Sequence, residues 1–129
     1  MNLRVWPSIV AFSIAAGLTS GCVGGRTLQT PQAPSTGGSA SIGKHVMENR
    51  RCGACHTIPG IPGANGVFGP PLTQFGRRTY IAGNFPNQPE NLVHWIMSPK
   101  SMKPKTAMPD LGLTQQQARD VAAYLYTLR

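Results

Sequence analysis

Two cysteines and a histidine stand together in residues 51–56, which read RCGACH. Cys52 and Cys55 are three positions apart, and His56 directly follows the second thiol. Thiols and imidazole can bind a zinc ion, and a cysteine pair can form a disulfide or a redox dithiol. The same spacing followed by histidine can also attach a haem. The rest of the chain has to discriminate among these four uses.

Three of these uses find little support elsewhere in the sequence. A thioredoxin-type dithiol needs a parallel sheet, and no strand pattern is evident. A closed zinc site needs further ligands, and His45 and His94 do not repeat the spacing. A structural disulfide, which export would favour, needs no histidine at the next position. A haem-free zinc or disulfide module stays open as the least favoured interpretation.

C-x-x-C-H is the attachment motif of a c-type haem. Two thiols at this spacing reach two vinyl groups of one porphyrin, and His56 then reaches the iron. A second axial ligand must come from far along the chain. Met108 is the best candidate, because Pro109 stiffens the loop that carries it. Met97 is expected to fill core space, and Met102 is expected to lie near the surface.

The start of the chain predicts export rather than folded structure. Residues 1–21 combine a positive charge at Arg4, a short apolar run and small residues before Cys22. This pattern predicts a signal peptide of the lipoprotein type, with the lipid on Cys22. Residues 22–41 are rich in Gly, Ser, Thr, Pro and Gln, and they are expected to form a flexible tether.

Residues 42–129 are expected to form one small domain with a thin apolar core. The chain has 15 Gly and 12 Pro, and only 7% of its residues are aromatic. A domain of this kind often needs a disulfide, a metal or a cofactor for stability. Its first helix, predicted within 42–51, would place Ile42, Val46 and Met47 on one side.

Two later helices carry clearer signals, and no strand is predicted. One begins near Asn87, with Asn87 as its cap and Glu90 as the capping-box partner, and it ends before Pro99. The last helix begins after Thr114, which forms a capping box with Gln117. The apolar face of this helix is formed by Ala118, Val121, Ala122, Leu125 and Leu128.

Several motifs along 42–129 together resemble one family. They are CGACH at 52–56, GPPL at 69–72, FGRRT at 75–79, NQPENLVHWI at 87–96, KPKTAMP at 103–109 and DVAAYLYTL at 120–128. The chain resembles a monohaem class I c-type cytochrome, and it is most similar to the cytochrome c domain fused to subunit II of some bacterial haem–copper oxidases. The resemblance implies an all-α cytochrome c fold, with three to five short helices around one covalently bound haem c.

The resemblance implies a role for each residue of the motifs. Cys52 and Cys55 would form the thioether links, and His56 and Met108 would be the two axial iron ligands. The Pro70 carbonyl oxygen would accept a hydrogen bond from the proximal histidine and so orient its ring.

Other implied contacts lie at the edges of the cofactor site. Arg77 and Trp95 would bind haem propionates. The first and last helices would cross, with Gly43 and Tyr124 in contact. The chain departs from the family at Glu48, four residues before the first cysteine, where an aromatic residue is usual. The spacing from Gly43 to that cysteine is also one residue longer than is common, which leaves the register of the first helix open.

The resemblance implies an electron carrier rather than an enzyme. Its partners would be a terminal oxidase, a quinol-oxidising complex or a periplasmic dehydrogenase, in the periplasm or at the outer face of a bacterial membrane. The alternative is a haem-based sensor or a peroxidase-like protein in which Met108 is displaceable.

The charge of the chain favours an acidic redox partner. The formal net charge is +8, from 12 Lys and Arg against 4 Asp and Glu. Basic residues flank the attachment motif and the methionine loop, where they would increase the rate of encounter with an acidic surface. These residues are Arg50, Arg51, Lys100, Lys103 and Lys105. No nucleic-acid recognition motif is present, and a monomer is expected.

Overall fold

The structure, a computed structural model, describes residues 33–129. Four helices follow in chain order: α1 (Ala40–Asn49), α2 (Pro89–Met97), α3 (Pro99–Met102) and α4 (Gln115–Thr127). The predicted signal peptide, Cys22 and residues 22–32 of the predicted tether lie outside the described residues and stay predictions. No helix within 33–129 is long and apolar enough to cross a membrane.

The connection between α1 and α2 contains the short elements of the fold. Two 3-10 turns, Cys52–Ala54 and Phe75–Arg77, are followed by an antiparallel hairpin of β1 (Tyr80–Ile81) and β2 (Phe85–Pro86). The predominantly helical architecture confirms the all-α prediction. The hairpin was not predicted, because two-residue strands are too short to produce an alternating pattern.

α1 and α4 pack directly against each other at Gly43. A Cβ on this residue would lie 1.9 Å from the Asp120 carbonyl oxygen and 2.9 Å from the Val121 amide nitrogen, so the close approach requires glycine. The atoms of α4 nearest to Gly43 thus lie one turn before Tyr124, the residue expected at this crossing. Tyr124 instead donates its hydroxyl hydrogen to the Pro59 carbonyl oxygen, at 2.7 Å.

α4 also holds the residues that precede α1. The Ser39 backbone N–H donates to the Asp120 carboxylate at 2.8 Å, and the Gln116 side-chain amide donates to the Gly37 carbonyl oxygen at 3.2 Å. A carboxylate at the start of a helix also complements the helix dipole. The helix therefore begins at Ala40, and the last residues assigned to the tether already contact the folded part.

The buried face of α1 is built around Met47 rather than Ile42. Met47 is 2% exposed and Val46 is partly buried, whereas Ile42 is 53% exposed, so the three residues predicted to lie on one side differ in burial. Met47 lies four residues after Gly43 and therefore shares its face of the helix. Beyond the helix end, Arg51 adopts a left-handed conformation with φ 54° directly before Cys52.

α4 begins as the sequence predicts. Thr114 Oγ1 accepts from the Gln117 backbone N–H at 3.2 Å, and Gln117 Oε1 accepts from the Thr114 N–H at 3.0 Å. This reciprocal pair confirms the capping box. The predicted apolar face is buried at Ala118, Val121, Ala122 and Leu125 and partly buried at Leu128.

Asn87 joins three parts of the fold instead of capping α2. Its Nδ2 donates to the carbonyl oxygens of Phe75, at 3.2 Å, and Arg78, at 2.9 Å. Its Oδ1 accepts from the Tyr126 hydroxyl of α4 at 3.1 Å. Burial raises the pKa of Tyr126 to about 12, so the hydroxyl stays a donor at neutral pH.

The predicted capping box at the start of α2 is wrong for this reason. α2 begins at Pro89, and Gln88 precedes it without a side-chain cap. The side chain of Asn87 instead forms hydrogen bonds with the connection and with α4.

Replacing Asn87 with alanine should lower the free energy of unfolding by about 2–4 kcal/mol, because three partly buried hydrogen bonds are lost together. Asn91→Ala is a matched control. Asn91 makes one exposed hydrogen bond, to the Pro86 carbonyl oxygen at 3.1 Å, so its loss should cost less than about 1 kcal/mol. Chemical denaturation of the two variants measures the difference, and equal losses would contradict the bridging role.

Candidate cofactor site

A cavity of about 490 Å³ lies between the 3-10 turns, the hairpin, the three longer helices and the loop that carries Met108. This volume falls within the range of roughly 300–1,000 Å³ that is typical of ligand and cofactor pockets. Its lining is predominantly apolar. Much of it comes from side chains that are themselves buried, among them Leu72, Ile81, Leu92, Ile96, Leu113 and Leu125.

The attachment motif forms one wall of this cavity. Cys52, Cys55 and His56 all line it, and both thiols are free rather than joined in a disulfide. The turn is closed by the His56 N–H, which donates to the Cys52 carbonyl oxygen at 3.0 Å. The Gly69 N–H donates to the Cys55 carbonyl oxygen at 2.7 Å and joins the following loop to the motif. Burial raises the pKa of the Cys52 thiol.

The ring of His56 is held in one orientation and one tautomer. Its Nδ1 lies 2.7 Å from the Pro70 carbonyl oxygen, the contact that the resemblance implies. A carbonyl oxygen can only accept, so Nδ1 carries the proton and Nε2 keeps a free lone pair. A Cβ on Gly69 would lie 2.4 Å from the ring carbon Cε1, so this glycine lets the backbone pass close to the ring.

The structure brings one of the three candidate methionines to the cavity. Met108 lines it together with Thr106, Ala107 and Pro109. Neither Met97 nor Met102 lines the cavity. Met97 is partly buried and packs against the core, which confirms its expected role as filler. Met102 is half-buried and also lies away from the cavity.

Trp95 lies on the wall formed by α2. Its ring packs against Phe85 of the hairpin, with 6.3 Å between the ring centroids. Its side chain lines the cavity, and within residues 33–129 its indole N–H makes no hydrogen bond. The indole N–H of Trp95 could therefore donate a hydrogen bond to an acceptor atom of a group bound in the cavity.

Arg78, and not Arg77, lines the cavity. Arg77 ends the second 3-10 turn and is exposed. The Arg78 guanidinium donates to the carbonyl oxygens of Pro71 and Thr73, the latter at 3.1 Å, and lies 5.3 Å from the centroid of the Phe75 ring. The sequence FGRRT contains two adjacent arginines. The 3-10 turn ends between them, and only the second arginine lines the cavity.

The donor set fits a covalently attached haem. One apolar cavity presents two free thiols, an imidazole with an available Nε2 and a thioether. Within 33–129, no group of three or more His, Cys, Asp or Glu side chains is arranged to hold a metal ion by itself. The described residues therefore suit an iron that is carried in a porphyrin rather than an ion bound by side chains alone.

Comparison with known proteins also points to a haem-binding domain. The family model for cytochrome c matches residues 40–129. Cytochrome c oxidase subunit 2 of Alkalihalophilus pseudofirmus is 36% identical over 91 residues, which cover 70% of this chain and 26% of that protein. Cytochrome c oxidase subunit 2 of Bacillus sp. strain PS3 is 33% identical over 85 residues, which cover 63% of this chain and 24% of that protein. The chain thus matches about a quarter of the length of these curated relatives.

The matched region begins at the first residue of α1 and contains every residue that lines the cavity. It covers the attachment motif, the loop of Pro70, the arginine pair and the loop of Met108. The sequence match and the cavity therefore agree in extent and in chemistry, and the chain belongs to the cytochrome c family.

Proposed function

We propose that this protein is an electron carrier that binds one haem c and exchanges single electrons with partner redox proteins. The observation that carries the proposal is the convergence of Cys52, Cys55, His56 and Met108 on one apolar cavity. Haem c, when bound, supplies an iron that changes between the ferric and ferrous states. His56 and Met108 would fill both axial positions, which leaves none for a substrate and makes the protein a carrier rather than an enzyme.

Each group of cavity residues has its own task. The cysteines would hold the porphyrin covalently, and His56 would bind the iron through Nε2 while Pro70 fixes its ring. A thioether from Met108 would raise the reduction potential. The apolar walls exclude water, and this also disfavours the more highly charged ferric state.

Replacement of Met108 by leucine, which nearly conserves volume, tests the distal ligand. The ferric protein should lose the weak far-red sulfur-to-iron absorption band, and the ferrous protein should bind carbon monoxide readily. Met97→Leu and Met102→Leu are matched controls and should keep the band, since neither residue lines the cavity. A wild-type protein that lacks the band and is high-spin would contradict the proposal and favour the sensor or peroxidase-like alternative.

We also propose that Arg78, together with Trp95, binds the propionates of the haem. Both side chains line the cavity, and each presents an N–H donor there. An arginine is suited to this task because its guanidinium stays charged and pairs with a carboxylate in a fixed geometry. Arg77 was predicted for this role, but its exposed position away from the cavity makes its neighbour the better candidate.

The adjacent arginines allow a direct test by Arg78→Gln and Arg77→Gln. Loss of a cation beside the cofactor should stabilise the more positively charged ferric form relative to the ferrous form and so lower the reduction potential, by roughly 20–60 mV for Arg78→Gln. Arg77→Gln should change the potential by less than about 10 mV, because an exposed charge is screened. Equal shifts in the two variants would refute this assignment.

The docking surface would include exposed basic residues next to the attachment motif and the methionine loop in the sequence. Arg50, Arg51, Lys100 and Lys105 are exposed, and within 33–129 none of them forms a salt bridge. Unpaired cations attract an acidic partner over a distance of roughly 10 Å at moderate salt. Both curated relatives are oxidase subunits, which supports a respiratory oxidase as the electron acceptor. Residues 1–22 would place the exchange outside the cytoplasmic membrane.

Oxidation of the ferrous protein by ferricyanide, an anion, tests this surface. The rate should fall as ionic strength rises, and the dependence should weaken in the double variant Lys100→Glu, Lys105→Glu. Lys44→Glu alters a charge on α1 and is the control that should leave most of the dependence in place. A rate that does not depend on salt would rule out electrostatic docking at this surface.

A further inference from the structure

The loop between α3 and α4 carries Met108 and is fixed by a series of hydrogen bonds that begins at Lys103. Lys103 follows α3, and its N–H donates to the Pro99 carbonyl oxygen at 2.8 Å. The Thr106 N–H donates to the Lys103 carbonyl oxygen at 2.9 Å. The Met108 N–H donates to Thr106 Oγ1 at 3.2 Å. The last two bonds therefore link the methionine backbone back to Lys103, and the first links Lys103 to α3.

The side chain of Lys103 extends this series to a different part of the fold. Its Nζ donates to the Ala82 carbonyl oxygen in the hairpin turn at 3.0 Å. It also lies 3.9 Å from the point where a Cβ on Gly83 would stand. Lys103, Ala82 and Gly83 all line the cavity, so the contact joins two walls of the cofactor site.

The hairpin turn is a firm anchor for this contact. Ile81, directly before it, is 4% exposed, and the Asn84 N–H closes the turn on the Ile81 carbonyl oxygen at 3.2 Å. Ala82 has a φ of 49°, a left-handed conformation that a non-glycine residue keeps only when its surroundings hold it. The carbonyl that accepts from Lys103 is thus presented by a constrained turn that follows the buried residue Ile81.

We propose that Lys103 is a positioning residue for the distal ligand, which rests on the proposed role of Met108. Its ammonium group fastens the methionine loop to the hairpin turn across the cavity mouth. This contact, called the Lys103 clasp below, restricts the motion by which the Met108 thioether would leave the iron. A charged donor forms a stronger hydrogen bond than a neutral one, so one exposed contact suffices to bias the loop.

Lys105 provides a matched control for the clasp. It carries the same charge two residues further along the same loop, but it is exposed, does not line the cavity and makes no hydrogen bond within residues 33–129. Lys103→Leu and Lys105→Leu therefore remove the same charge and keep a similar apolar stem. Lys103→Arg keeps a charged donor, so it should keep most of the wild-type restraint on the loop.

The first measurement is amide hydrogen exchange of the haem-loaded protein. In Lys103→Leu the amides of Thr106 and Met108 should exchange about fivefold faster, while amides in the middle of α4 should be unchanged. Lys105→Leu should match the wild-type protein. Equal exchange in the two leucine variants would overturn the clasp, whatever ligand the iron has.

The second measurement connects the clasp to the ligand. Exogenous imidazole added to the ferric protein displaces a methionine, and loss of the sulfur-to-iron band reports the rate. We expect an increase of about fivefold in Lys103→Leu only. Unchanged displacement together with faster exchange would overturn the effect on the ligand. Absence of the band from the unaltered protein would instead refute the Met108 assignment, and the exchange data would still decide whether the clasp holds the loop.

Discussion

The hydrogen bond between the His56 ring and the Pro70 carbonyl oxygen is the constraint on which the rest of the site depends. An imidazole can place its single proton on either nitrogen, and only the other nitrogen can then bind a metal. Because a carbonyl cannot donate, the 2.7 Å contact determines this choice before any iron is present. Gly69 makes the contact possible, since any side chain there would occupy the space of the ring. The loop at 69–72 thus determines the tautomer of the His56 ring as well as its orientation.

The cavity also explains how so short a chain can have a stable fold. Many of its apolar side chains face a space of about 490 Å³ instead of one another. Without an occupant, these side chains would face water, which loses roughly 25 cal/mol for each Å² of apolar surface left exposed. The group that fills the cavity therefore contributes to the core. Retention of the cofactor and maintenance of the fold depend on the same contacts.

The sequence predicted the parts of the site whose chemistry is local. The thiols and His56 follow from one short motif, and the start of α4 follows from Thr114 and Gln117, whose mutual hydrogen bonds span three residues. Met108 required only the choice among three methionines. These features depend on residue type and spacing, which a sequence shows directly.

The parts that depend on distant packing were not predictable in the same way. Asn87 has the form of a helix cap, but Tyr126 from α4 competes for its side chain. Arg77 and Arg78 are indistinguishable until the 3-10 turn sets their directions. Gly43 was expected to meet Tyr124, and the nearest atoms of α4 belong to Asp120 and Val121, because the crossing point of two helices is not given by spacing alone.

The contact between Ser39 and the Asp120 carboxylate also bears on the order in which the protein is made. These residues are 81 positions apart, and closing a loop of that length costs about 4 kcal/mol, more than one hydrogen bond returns. The contact can therefore form only when α1 and α4 dock as complete helices. The chain is synthesised from its N-terminus, so Cys52 and Cys55 emerge well before α4 does. The fold thus leaves an interval in which both thiols can react while the cavity that they line is still incomplete.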